Sequence, residues 1–138
     1  MTPEILLLED YPHPVAKVWT ALTEPAALSQ WLMATDDFEP RLGKRFKLHG
    51  RATPEWRGWM ECEVLELDPP RRMVWSWRRS ETEEPNRVEF RLDPIEGGTR
   101  LTLKHTGVAD AGVRDRYTSG WPVKLAAIRT MLAASVQD

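Results

Sequence analysis

Apolar positions change their spacing along the chain, and this change separates predicted helices from predicted strands. After Pro14, four apolar residues recur at intervals that place them on one helical face: Val15, Val18, Trp19 and Leu22. Thr23 and Pro25 repeat the start signal, with a hydroxyl cap and a proline in the first turn, before Leu28, Trp31 and Leu32. The sequence therefore predicts two short helices after the first apolar run, residues 5–8.

From about residue 36 the spacing becomes two, which is typical of β-strands with one buried face. Five runs alternate in this way, at residues 45–51, 60–64, 73–78, 87–92 and 100–105. In the first two runs, Arg45 and Lys47 would lie opposite Glu61 and Glu63 if the strands pair in antiparallel fashion. Short turns between the runs predict an antiparallel meander, and His105 falls on its apolar row.

The carboxyl-terminal segment carries one long apolar stripe at helical spacing, made of Trp121, Leu125, Ile128, Leu132 and Val136. This helix would cover the apolar face of the sheet. Pro122 leaves two alternatives for where the helix begins. Either Ser119 caps it and Pro122 lies in the first turn, or one continuous helix runs from about Val113.

Length and charge narrow the class of protein. The 138 residues suit one domain spanning residues 1–138, and a net charge of -2 gives no basic field for nucleic acid. A single cysteine, Cys62, with three scattered histidines predicts neither a disulfide nor a metal site, and indicates a cytoplasmic protein. Apolar runs are too short for an export signal or a membrane span. We therefore expect no metal, no cofactor, no nucleic acid partner and no membrane partner.

Short motifs along nearly the whole chain carry a family resemblance. They are Val18-Trp19, Leu22-Thr23-Glu24-Pro25, Trp31, Asp68-Pro69-Pro70, Trp75-Ser76-Trp77, Gly97-Gly98-Thr99, Leu101-Thr102-Leu103, His105 and Gly120-Trp121. Together they resemble the START-like (SRPBCC) superfamily, specifically relatives of the carboxyl-terminal domain of the activator of the heat-shock-protein-90 ATPase. The resemblance implies an α+β helix-grip fold, a curved antiparallel β-sheet wrapped around a long C-terminal helix, with two short helices after the first strand. It implies no single function.

The inward aromatic row predicts a small-molecule site between the last helix and the sheet, because aromatic walls with few polar groups are typical of such pockets. The predicted ligand-binding residues are Trp75, Trp77, Phe90, Leu103, His105, Trp121, Leu125 and Ile128. Each tryptophan also has a simpler interpretation as part of the core. His105 would hold the polar end of a largely apolar ligand, or would be a neutral imidazole hydrogen-bonded within the core. Tyr117 and Cys62 are further polar groups that could reach the cavity.

Other functions remain open at this stage. A stress-response protein that regulates the heat-shock-protein-90 ATPase would use a basic row of Arg45, Lys47 and Arg51. A cyclase or hydrolase would use His105 as its base, but no catalytic dyad, triad, phosphate loop or metal-ligand spacing supports an enzyme. Asp36-Asp37 is a weaker candidate for chemistry near the mouth of the fold. The chain would be a monomer or a homodimer, with Trp59 either at a contact or covering the sheet end.

Overall fold

The computed structural model describes residues 4–35 and 37–135, so Asp36 and Val136 lie outside the described residues. Two short helices follow the first strand, five further strands follow these helices, and a long helix ends the fold. The elements are β1 (Ile5–Tyr11), α1 (Val15–Thr23), α2 (Pro25–Trp31), β2 (Arg45–His49), β3 (Trp59–Asp68), β4 (Arg72–Arg78), β5 (Asn86–Ile95), β6 (Gly98–Thr106) and α3 (Ala111–Ser135). This order confirms the predicted helix-grip architecture.

All six strands form one antiparallel sheet in the order β1-β6-β5-β4-β3-β2. Strands β2 to β6 are a meander, and β1 pairs with β6 at one edge. The predicted charge pairing is confirmed, because Arg45 lies opposite Glu63 and Lys47 opposite Glu61. Further arginine–glutamate pairs continue this polar face across β3, β4 and β5, among them Arg78 with Glu61.

Helix α3 and helices α1 and α2 pack against the apolar face of the sheet. Aromatic rings fill its centre, where Trp75 meets Phe90 with ring centroids 4.8 Å apart and Phe46 with centroids 5.1 Å apart. The predicted stripe on α3 is buried at Trp121, Leu125, Ile128 and Leu132. Burial of each such side chain contributes about 1.5–3 kcal/mol to stability. Stability of the core is therefore a sufficient explanation for the many tryptophans of the interior.

Helix α3 begins earlier than the Ser119 alternative requires. The Asp110 carboxylate accepts a hydrogen bond of 3.0 Å from the Val113 backbone N–H, which is the geometry of an N-cap. From there α3 is continuous, with Pro122 inside it. Pro122 is exposed, so water can hydrate the Thr118 carbonyl that its missing N–H leaves free. The predicted cap at Thr23 is wrong, because its hydroxyl donates instead to the Trp19 carbonyl of α1.

Two contacts fasten β1 to the rest of the fold. The Tyr11 hydroxyl donates a buried hydrogen bond of 2.8 Å to the Leu125 carbonyl and so links β1 to α3. At the start of β6, Gly98 lies so close to β1 that a Cβ there would be 1.9 Å from the Tyr11 carbonyl oxygen. Among the described helices, none is long and apolar enough to cross a membrane.

Candidate ligand-binding cavity

A partly open cavity of about 400 Å³ lies where α3 faces the ends of β3 and β4 and the loop at residues 50–58. Its volume falls within the range of about 300–1,000 Å³ that is usual for small-molecule sites. The lining residues are Met33, Gly50, Thr53, Trp56, Met60, Trp77, Arg79, Val113, Arg116, Tyr117, Gly120, Trp121 and Lys124. Apolar and aromatic side chains form most of this wall, while the charged groups in it are all basic.

One face of α3 supplies six of these lining residues at intervals of three and one: Val113, Arg116, Tyr117, Gly120, Trp121 and Lys124. Gly120 lies at the middle of this face, and a Cβ added there would meet nothing within 4 Å. Glycine is about 1 kcal/mol less favourable than alanine inside a helix. The absence of a side chain at Gly120 therefore leaves space in the cavity at a cost in helix stability.

The loop at residues 50–58 forms the outer wall. Its ends are joined by a hydrogen bond of 2.7 Å from the Gly50 N–H to the Gly58 carbonyl. The Trp56 ring lies directly over Gly50, because a Cβ at Gly50 would be 2.9 Å from that ring. Gly50 has no side chain and therefore leaves room for the Trp56 indole, which the loop holds against the cavity.

Behind the cavity wall, His105 is fully buried and both of its ring nitrogens are engaged. The Trp121 indole N–H donates a hydrogen bond of 3.0 Å to His105 Nδ1, so Nδ1 carries no proton. His105 Nε2 must then carry the proton and donate to the Asn86 side-chain oxygen at 2.6 Å. Burial lowers the pKa of His105 to about 4, so the ring is neutral near pH 7.

This neutral histidine positions two residues of the cavity wall. Its bond to Trp121 fixes the orientation of that indole, and its ring stacks on Tyr117 with centroids 4.7 Å apart. Burial raises the pKa of the Tyr117 phenol, so the hydroxyl keeps its proton and can donate. His105 therefore has the hydrogen-bonded core geometry, and its lone pair is not available to a substrate.

Several residues of the cavity wall have a buried polar atom without a hydrogen-bond partner. Within residues 4–35 and 37–135, four buried side-chain polar atoms have no hydrogen-bond partner: Trp56 Nε1, Trp75 Nε1, Trp77 Nε1 and Tyr117 Oη. Three of them belong to residues that line the cavity, and Trp75 is the exception. A buried donor left unpaired costs about 1–3 kcal/mol. The Trp77 indole and the Tyr117 hydroxyl do not reach hydrogen-bond geometry, but the nearby indole opposes the rise in the pKa of the Tyr117 phenol, so these two groups compensate each other in part.

The structure separates the sequence-predicted site residues into two groups. Trp77 and Trp121 line the cavity. The other six are buried in the core and are absent from the cavity wall: Trp75, Phe90, Leu103, His105, Leu125 and Ile128. Tyr117 lines the cavity, whereas Cys62 does not, and burial raises the pKa of its thiol, which keeps it protonated.

Sequence reasoning missed the loop wall and the basic residues of the cavity. Trp56, Arg116 and Lys124 line the cavity and were not among the predicted site residues. A signal was present in the spacing, because Arg116, Gly120 and Lys124 recur every four residues with the small residue in the middle.

A six-stranded antiparallel sheet packed on a long last helix, with a cavity between them, defines a START-like helix-grip protein, which is a ligand-binding class of fold. The profile of the family described as Activator of Hsp90 ATPase homolog 1-like protein matches residues 12–133. The chain belongs to this family. A comparison with curated proteins found no match.

Solved structures agree with this assignment. Protein MLL2253 from Mesorhizobium loti is 27% identical with a TM-score of 0.85, over 96% of this chain and 98% of that chain. CalU16 from Micromonospora echinospora is 27% identical with a TM-score of 0.79, over 95% of this chain and 74% of that chain. DynU16, from the dynemicin biosynthetic locus, shares the fold at 19% identity and a TM-score of 0.82, over 96% of this chain and 48% of that chain.

Proposed function

We propose that the protein binds a small, largely apolar molecule in the cavity lined by α3, the ends of β3 and β4 and the loop at residues 50–58. The observation that carries the proposal is a partly open cavity of about 400 Å³ with a largely apolar and aromatic wall, in which Trp56, Trp77 and Tyr117 each have a buried polar atom without a hydrogen-bond partner. Indole nitrogens only donate, so a ligand oxygen that reached one of them after a small rotation of the tryptophan side chain would offset part of its desolvation cost. The ligand would thus have an aromatic or aliphatic body with at least one acceptor oxygen.

We assign no reaction to this site. A cyclase or hydrolase function would need His105 as a base, and its two nitrogens are bonded to Trp121 and Asn86. In this proposal the protein carries or senses its ligand in the cytoplasm, where the single thiol of Cys62 stays reduced.

A titration with N-phenyl-1-naphthylamine, an uncharged dye whose fluorescence rises in apolar surroundings, tests the proposal. The natural protein should bind the dye saturably. Gly120→Leu should weaken binding at least about tenfold, because its side chain enters the open space and removes roughly 1.4 kcal/mol or more of contact. Native mass spectrometry of gently purified protein would report any cellular ligand as mass that is lost on denaturation.

The matched control is Val123→Leu, which adds one methylene on the solvent face of the same helix, where Val123 is 71% exposed. This variant should bind the dye as the natural protein does. The control matters because Leu6 and Leu8 are exposed on β1 and offer the dye a second apolar surface. Saturable binding that is absent, or that Gly120→Leu leaves unchanged, would contradict the proposed cavity.

The family description favours regulation of the Hsp90 ATPase as a second candidate function. The basic row that would serve it is partly engaged within the chain. Arg45 pairs with Glu63, and the Lys47 ammonium lies 4.5 Å from the centroid of the Trp59 ring, while Arg51 is exposed. Addition of the purified protein in excess to the chaperone, with ATP hydrolysis followed, tests this function. An unchanged rate would refute it.

A further inference from the structure

We propose that the ligand of this cavity is an organic anion, with an aromatic body against the tryptophans and a carboxylate between Arg116 and Lys124. This inference rests on the proposed function, because it gives the charge and class of the ligand for the same cavity. Two observations support the anionic charge of the ligand: which charged residues line the cavity, and which of these residues already form an ion pair.

The charged lining residues are Arg79, Arg116 and Lys124, and no lining residue is acidic. Arg79 is already compensated, since its guanidinium lies 3.0 Å from the Glu83 carboxylate and donates at 3.0 Å to the Glu55 carbonyl. The other two cations differ from it. Both line the cavity without an ion pair among the described residues.

Arg116 is exposed and has no ion pair among the residues that the structure describes. Lys124 is half-buried, and its ammonium uses one of three donors, at 3.3 Å to the Leu32 carbonyl. Burial lowers the pKa of Lys124, and no neighbouring acid opposes that effect. An anion bound at this position would therefore supply a missing countercharge.

Many arginines on the polar face of the sheet are paired with acids, whereas other surface cations, such as Lys17, Lys44 and Arg71, have no ion pair among the described residues. Arg72 bonds Glu66 and Glu89, Arg100 bonds Asp10, and other arginines on the sheet show the same pattern. What distinguishes the cavity is that Arg116 and Lys124 stand together on its wall with no acidic lining residue.

Gly120 lies midway between Arg116 and Lys124 on one helix face, with open space above it. Two turns of helix thus present two cations that flank a gap without a side chain. The walls beyond the gap are the indoles of Trp56, Trp77 and Trp121. Charge-assisted hydrogen bonds to a carboxylate are about twice as strong as neutral ones, so this arrangement favours an aromatic acid over its neutral analogue.

Three probes share a naphthalene ring and differ in charge, so they distinguish the effect of charge on affinity from that of apolar contact. They are 2-naphthoic acid, 2-naphthamide and 2-(aminomethyl)naphthalene, with charges of minus one, zero and plus one near pH 7. Isothermal titration calorimetry would measure each. We expect the carboxylate to bind about tenfold tighter than the carboxamide, as one charge-assisted bond would give, and the amine to bind most weakly. Added salt should weaken only the carboxylate, because Arg116 is exposed to screening.

The double variant Arg116→Gln with Lys124→Met should abolish the preference for charge, so that the ratio of carboxylate to carboxamide affinity falls from about ten to about one. Arg71→Gln is the matched control, since Arg71 is an exposed cation at the opposite end of the β3–β4 hairpin and has no side-chain partner among the described residues. It should change neither affinity.

The outcomes distinguish this inference from the proposed function. Equal affinities for the three probes, or a carboxylate preference that survives the double variant, would overturn the anion inference and leave the cavity function intact. Failure of all three probes and of the uncharged dye would overturn both.

Discussion

The buried histidine makes stability depend on pH in a window where few other groups titrate. His105 has a pKa of about 4 in the folded protein because of burial, against 6.5 for an exposed imidazole. Below pH 6.5 the unfolded chain therefore binds a proton that the folded chain does not. The free energy of unfolding should thus have its full value above pH 6.5 and should decrease as the pH is lowered toward 4.

The size of the effect follows from these two pKa values. The full difference is worth about 3 kcal/mol, and about 2 kcal/mol of it should be lost between pH 7.5 and pH 5. The cause is burial of the ring, which disfavours its charged form. A second ring proton on Nδ1 would also abolish the bond that Trp121 donates there. Carboxylates with lowered pKa values, such as Asp10, contribute only below this window.

Urea unfolding followed by tryptophan fluorescence at pH 7.5, 6.5, 5.5 and 5.0 measures the effect. A loss of about 2 kcal/mol moves the midpoint by about 1 M for a chain of this size. Burial also lowers the pKa of His13, so the comparison is made in a His13→Asn background. There His105→Phe should be less stable but should lose the pH dependence, whereas His49→Gln, at an exposed position, should retain it. A midpoint that is constant down to pH 5, or a slope that survives His105→Phe, would refute the reasoning.

Three further predictions concern the packing of the fold, and thermal or urea unfolding checks each. Tyr11→Phe should cost about 1–3 kcal/mol, because it leaves the buried Leu125 carbonyl unpaired; an unchanged midpoint would contradict that bond. Gly98→Ala should cost about 3 kcal/mol or more, since its Cβ would overlap the Tyr11 carbonyl; normal stability would mean that β1 can move away. Gly120→Ala should stabilise by up to about 1 kcal/mol, because the helix gains propensity and the methyl meets no neighbour; destabilisation would mean that the space is already filled.

Much of the fold follows from two periodicities in the sequence. Side chains along a strand alternate between two faces, so the row of apolar residues was enough to predict that Trp75, Trp77 and His105 point inward. All three are buried. The charge rows of β2 and β3 then gave their pairing. The residue at which α3 begins did not follow from the sequence, because Ser119 and Asp110 are both acceptable N-caps. Which of them caps the helix depends on whether Pro122 is tolerated inside it, on an exposed face.

The position of the cavity could not be predicted in the same way. Side-chain parity tells which residues face the interior, but not whether the facing volumes fill the space between helix and sheet. Around Phe90 and Trp75 they do, with ring centroids 4.8 Å apart. Near Gly120 the facing side chains leave open space. The size of this space depends on the path of the loop that carries Trp56, and the loop has no hydrophobic periodicity from which its path could be predicted.

Helix α3 contains two poor helix formers, Gly120 and Pro122, close together near its middle. Toward the carboxyl end, Leu125 and Ile128 anchor the helix in the core, whereas the first turns contribute only Val113 and the partly buried Tyr117. Amide hydrogen exchange should therefore reveal two levels of protection within one helix, with the residues before Gly120 opening at lower free energy than the rest. Because the less protected turns form one wall of the cavity, a molecule could be admitted by local opening while the aromatic core stays folded.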